Sequence, residues 1–103
     1  MALKTFAGIT VEVTDEGYLL NSSTWNKEIA IAIAKEEGVD LTEKHFAVIE
    51  FLRDRQKNGE ILTLRSVGNS GIVDIKGFYG LFPGAPMKKA AKIAGIPKPA
   101  SCV

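Results

Sequence analysis

The sequence predicts an α+β fold: a small N-terminal β-meander or hairpin packed on an array of four to five short helices, with a flexible C-terminal arm. Three observations lead there. Residues 3–13 alternate apolar and polar on either side of Ala7-Gly8, the two-residue period of paired strands around a tight turn. From residue 25 onward, apolar residues recur at helical spacing in stretches opened by Ser, Thr or Asp and closed by Gly. After Gly95, two prolines one residue apart put an end to regular structure. At 103 residues the chain suits one domain, read as residues 1–95, with 96–103 as the arm.

Thr14 to Gly17 reads as a second turn, and Tyr18-Leu19-Leu20 as a third short strand. Ser22, Ser23 and Thr24 offer N-cap oxygens for a helix that begins with Trp25. Residues 29–34 spell Ile-Ala-Ile-Ala-Ile-Ala, which alone has the period of a strand. Helix wins because alanine is a poor strand former and Trp25, Ile29 and Ile33 lie four apart; Lys35 to Gly38 then closes the segment as a helix end should. Thr42 caps a second helix running to about Lys57, with Phe46, Ile49 and Leu52 on its buried stripe beside Val48 and Phe51. His45, in its first turn, is read as packing or capping rather than as a base. Ile61 to Val67 has the composition of a strand, broken by Gly68-Asn69-Ser70-Gly71. Asp74 caps a short helix through Phe78, Tyr79 and Leu81, and Pro83 to Pro86 stops it. Met87 to Ala94 forms a last helix that ends at Gly95. Trp25, Phe46 and Tyr79 are read as core aromatics.

Composition excludes several classes. With 46% hydrophobic and 24% charged residues the chain has no disorder signature. No apolar run approaches the ~18 residues of a membrane-spanning helix. The stretch from Met1 to Thr5 lacks the apolar core of a secretory signal, so a cytoplasmic location and no membrane partner are expected. One cysteine makes no internal disulfide, and one histidine beside it leaves a structural zinc dependent on carboxylates. Neither metal nor cofactor is expected. The net charge of +1 hides an asymmetry: all twelve acids lie within residues 1–74, whereas residues 75–103 hold five lysines and no acid. This suggests either a docking surface for an anionic partner or simply a well-solvated helix and tail. A regulator that binds nucleic acid ranks last, since an acidic body and a pI near 7.8 offer no basic face.

The tail is the informative segment. Pro97 and Pro99 bias it toward an extended, polyproline-like path, and seven residue steps from Gly95 to Cys102 reach about 22 Å. The only thiol is thus carried on a semi-stiff arm, where a buried structural role is hard to arrange. The alternative is a chance surface cysteine. Gly95 is read as the pivot, because it takes positive φ freely. Pro97 and Pro99 limit the arm's disorder, so that less entropy is lost on docking. Locally, Lys98 alone favours the thiolate, and no base lies nearby in sequence. The cysteine is not fourth from the end of the sequence, so no prenylation box is present.

These residues are similar to a known pattern. The stretch Leu81-Phe82-Pro83-Gly84-Ala85-Pro86, followed by Ala91-Lys92-Ile93-Ala94-Gly95-Ile96-Pro97-Lys98-Pro99-Ala100-Ser101-Cys102-Val103, resembles the closing signature of the DsrC/TusE family of small sulfur-relay proteins, LFPxGP and then KIAGLPKPxxCV. Looser agreement covers Asp15 to Leu19, Trp25, Glu37-Gly38-Val39, Thr42 to His45 and Phe51 to Asp54. The resemblance implies a β-meander against helices with a mobile arm. It implies that Cys102 carries sulfur as a persulfide, received from a sulfurtransferase of the DsrEFH or TusBCD type. The onward acceptor would be a tRNA-thiolating enzyme or, in DsrC-like members, a dissimilatory sulfite reductase.

Those DsrC-like members depend on a second arm cysteine eleven positions before the first; here that position is Ala91. No disulfide or trisulfide between the two positions can form, which favours a one-cysteine relay or a regulatory relative. Ala85 stands where the family has Gly, Ala100-Ser101 replaces Thr-Gly, and the region from Leu62 to Gly71 is shorter than in typical members. Arg65 resembles a family arginine that faces the arm. Lys92 and Lys98 are read either as guiding the arm and steadying its thiolate or as ordinary solvated lysines. Nothing in the sequence demands more than a monomer.

Overall fold

A computed structural model describes residues 2–60 and 62–98. Strands β1 (Ala2–Phe6) and β2 (Ile9–Val13) pair antiparallel, Phe6 opposite Ile9 and Thr5 opposite Thr10. The joining residues Ala7 and Gly8 both have positive φ, +53° and +79°, which is the type I′ turn that suits the twist of a two-residue hairpin. Phe6, Val11 and Val13 bury the inner face. The expected third strand is reduced to one bridge, between Val13 and Leu19. Tyr18 and Leu19 are both buried instead of alternating, and Asn21 then caps a 3₁₀ turn, Ser22–Thr24.

That turn corrects the predicted start of the first helix. Ser22 to Thr24 do not cap it and Trp25 is not in it: helix α1 is Lys27–Glu36, and Asn26 Oδ1 accepts the Ile29 N–H at 2.8 Å. The Ile-Ala repeat is helical as predicted, burying Ile29, Ala30, Ile33 and Ala34 while Ile31 faces solvent. Helix α2, Glu43–Lys57, opens with Thr42. His45 Nδ1 accepts from the Thr42 backbone N–H at 3.1 Å, and Nε2 donates to the Leu81 carbonyl at 2.8 Å. The carbonyl can only accept, so the ring is the Nε2–H tautomer.

The strand-like segment before Gly68 is instead a short helix, α3 (Leu64–Gly68). A reciprocal pair of bonds between Thr63 and Ser66 caps it, and the side chain of Val67 is fully buried. Cap chemistry overrides the β-branched composition here. Helix α4, Ile75–Leu81, starts on Asp74 as expected, but of its two aromatics only Phe78 is core; Tyr79 is 42% exposed. Phe46 is partly buried against the core rather than inside it. Helix α5, Pro86–Ile93, carries proline in its first turn. Its small residues Ala90 and Ala91, and Ala94 at its C-terminal cap, are fully buried, which lets its backbone lie close against α1 and α2. Among the described residues, five helices therefore pack on one hairpin, and the end of α5 is sunk in the core.

Candidate functional site

The chain leaves α5 through a fixed turn. Four carbonyls at a helix C-terminus lack intrahelical partners. Here the Ile96 N–H donates to Ala91 O at 3.1 Å and the Gly95 N–H to Lys92 O at 3.2 Å, the Schellman pairing. Gly95 supplies the left-handed residue that this pairing needs, with φ +70°. The last two carbonyls are met from elsewhere in the fold. Trp25 Nε1 donates to Ile93 O at 2.8 Å, and Arg53 Nη1 donates to Ala94 O at 2.7 Å. Arg53 Nη2 also donates to Ser22 O at 3.1 Å, and the guanidinium lies 4.2 Å from the centre of the Trp25 ring. Burial lowers the Arg53 pKa from its ordinary value, yet a guanidinium is still charged at neutral pH. Its bonds to carbonyls are therefore charge-assisted.

Trp25 also closes off the space at Gly95. A Cβ there would sit 2.4 Å from Trp25 Cδ1 and 2.8 Å from Cγ, so no side chain fits. Ile96, 2% exposed, belongs to the core, and the first exposed residue is Pro97. Beside the turn, a groove of about 460 Å³ is lined by Ile96, Arg53 and Ser22 among others.

A second concavity, about 250 Å³, lies where α5 meets the loop after β2, lined by Glu16, Tyr18, Glu37, Lys88, Lys89 and Lys92. Lys98 Nζ lies 2.9 Å from Glu16, and Lys92 Nζ 2.8 Å from Glu37. The Lys98 pair is largely solvated and worth little; the Lys92 pair is three-quarters buried on both sides. Lys92 also lies 5.8 Å from the centre of the Tyr18 ring.

Of the residues singled out in the sequence, Gly95, Lys92, Pro97 and Lys98 come together at this end of α5. Arg65 is exposed on α3, and the arginine that bonds the arm's root is Arg53. Cys102 and Pro99 lie outside the described residues. The sequence alone names Arg53 only within the family agreement and places Trp25 in the core, whereas Trp25 is partly buried, packed against the core. The available signal was periodicity: Arg53 falls four after Ile49, at the edge of the buried stripe of α2, where a lone charge needs a partner. Among the described residues no cluster of His, Cys, Asp and Glu could hold a metal ion, and no helix is long and apolar enough to cross a membrane.

The family model described as "DsrC like protein" matches residues 5–103. The chain belongs to the DsrC-like family. Sulfurtransferase TusE of Photorhabdus laumondii is 38% identical over an alignment of 121 positions, gaps included, that covers 100% of both chains. Sulfurtransferase TusE of Escherichia coli K12 is 36% identical over an alignment of 107 positions, covering 95% of this chain and 97% of its own. Among solved structures, the oxidized gamma-subunit of the dissimilatory sulfite reductase (DsrC) from Archaeoglobus fulgidus superposes with a TM-score of 0.83. It is 31% identical, and 99% of this chain and 100% of that chain are covered. The hairpin and helices of this chain form the same α+β fold as the DsrC structures.

Proposed function

We propose that this protein is a sulfur-relay carrier, a sulfurtransferase that works through partners, and that Cys102 carries the sulfur as a persulfide. The observation that carries this reading is the family match through residue 103, which takes in Cys102, together with full-length relatives named as sulfurtransferases. In the loading step the Cys102 thiolate attacks the terminal sulfur of a donor's cysteine persulfide. The bond between the donor's two sulfurs breaks, a new S–S bond forms on Cys102, and the donor's cysteine leaves as thiolate. The transferred sulfur keeps its proton, and no external oxidant is consumed. Discharge is the same exchange with the acceptor's thiolate as the attacking group.

The buried, hydrogen-bonded turn at Gly95 and Ile96 supports an arm whose moving part begins at Pro97, two residues later than Gly95. Pro97 opens it, and Lys98 can rest on Glu16. The donor in this reading is a sulfurtransferase of the DsrEFH or TusBCD type, and the acceptor is a tRNA-thiolating enzyme in the cytoplasm. A role as a gamma-subunit-like partner of sulfite reductase is the second reading, motivated by the structural relative from Archaeoglobus fulgidus. Ala91 disfavours it, since the position where DsrC-like members hold their second thiol has none and is fully buried.

The test is mass spectrometry of the intact protein and its peptides after exposure to a persulfide donor, then to a cognate sulfurtransferase. The expected result is a gain of one sulfur, about 32 Da, confined to Cys102, removed by a thiol reductant and absent from Cys102→Ser. A bare Cys102 after both donors would end the relay reading.

A further inference from the structure

We propose that Trp25 and Arg53 are positioning residues for the sulfur-carrying thiol: by holding the carbonyls of Ile93 and Ala94 they fix where the arm starts and in which direction it leaves the body. The thiol's cargo is taken from the reading above; the geometric content of the proposal stands apart from it.

The turn itself satisfies the carbonyls of Ala91 and Lys92, as in any Schellman end. The next two carbonyls, on the fully buried Ile93 and Ala94, accept no bond from the turn itself. They are instead gripped by side chains from two other parts of the fold, the segment before α1 and the middle of α2. The grip is mutually braced, because Arg53 also holds the Ser22 carbonyl and lies over the indole ring. A methionine would fill the space of the Arg53 stem without the cost of desolvating a guanidinium. What the guanidinium adds is a rigid fork tying Ala94 to Ser22. The absence of room for a Cβ at Gly95 shows how tightly Trp25 closes on the same turn.

Arm length turns this rigidity into a functional quantity. With the clamp closed, five steps of sequence separate Pro97 from Cys102, which allow a reach of about 16 Å at roughly 3.1–3.3 Å per step. If the turn unravels to Gly95 the reach becomes about 22 Å, and the swept volume, which scales as its cube, grows roughly threefold. The thiol's effective concentration at a docked partner's site falls by the same factor, before any loss of orientation is counted.

The chain contains one tryptophan and one cysteine, so the clamp and the thiol can be read directly against each other. Time-resolved energy transfer from Trp25 to an acceptor dye on Cys102 is expected to show a broader and longer distance distribution in Arg53→Met than in the unaltered protein. Arg53→Lys, which can reach one carbonyl but not bridge both, is expected to fall between them. Circular dichroism confirms the fold of each variant. In the functional arm, the rate of loading by a persulfidated sulfurtransferase, divided by the rate with glutathione persulfide, is expected to fall at least threefold in Arg53→Met. An unchanged distance distribution in folded Arg53→Met overturns the clamp. If that variant does not fold, Trp25→Phe, read by the anisotropy of the Cys102 dye, decides in its place: unchanged dye mobility overturns the proposal and increased mobility supports it. Failure of the unaltered protein to load from either donor sinks the relay reading, while the distance measurement still judges the clamp.

Discussion

Replacing Gly95 with alanine tests the tightest spot in the molecule. Two costs add there. At φ +70° an L-residue pays about 1–2 kcal/mol for the left-handed conformation. The new Cβ would also land 2.4 Å from Trp25 Cδ1, 2.8 Å from Cγ and 2.9 Å from Cβ, and part of that contact is the indole's stiff base rather than a flexible tip. Overpacking of this kind costs about 1–3 kcal/mol, and displacing the indole also strains its bond to Ile93 O. The expected total is about 2–5 kcal/mol, which lowers Tm by roughly 10 °C or more in a domain of this size. Gly38→Ala is the control: φ is +75° and nothing lies within 4 Å of its Cβ, so only the conformational cost, about 1–2 kcal/mol, remains. Urea denaturation followed by far-UV circular dichroism measures both. A cycle with Trp25→Ala completes the design, since removing the indole should reduce the cost of Gly95→Ala to that of the control. If Gly95→Ala and Gly38→Ala cost the same, Trp25 is not seated on the turn and the account of the arm's root is wrong.

Two further substitutions probe the frame. Ala7 holds φ +53° at the first central position of a type I′ turn, where asparagine is better tolerated; Ala7→Asn is expected to raise stability by about 0.5–1 kcal/mol in the same urea titration, and a loss would contradict the turn assignment. His45→Ala leaves the Thr42 N–H and the Leu81 carbonyl unpaired and removes an edge contact with the Phe82 ring, a loss of about 2–4 kcal/mol. Because His45 ties α2 to the end of α4 and does not touch the arm's root, sulfur loading of the folded variant should match the unaltered protein; a specific loss of loading would reassign His45 to the chemistry.

Local patterns carried much of the architecture. The hairpin around Ala7-Gly8, the caps at Thr42 and Asp74 and the glycine stop after α5 were all legible, because each is decided within a few residues. Two of the differences share one physical origin. Whether Ser22 to Thr24 or Asn26 starts α1, and whether the residues before Gly68 extend or coil, depends on competition between cap bonds. Asn26 wins the first by bonding Ile29, and the Thr63–Ser66 pair wins the second. Tyr79 is exposed although its spacing predicts core, because helical spacing places a residue on a face without saying which face meets a neighbour.

By itself, then, the sequence determined the α+β elements, the charge divide between body and tail, and the family signature that ends in Cys102, since all three are written in contiguous stretches. Only the tertiary structure brought Trp25 and Arg53, 68 and 41 residues away from their partners, onto the last carbonyls of α5. A helix end can be read locally as far as its glycine. Which side chains arrive to satisfy its remaining carbonyls is decided by how α2 and the segment before α1 pack against it, and no local pattern encodes that.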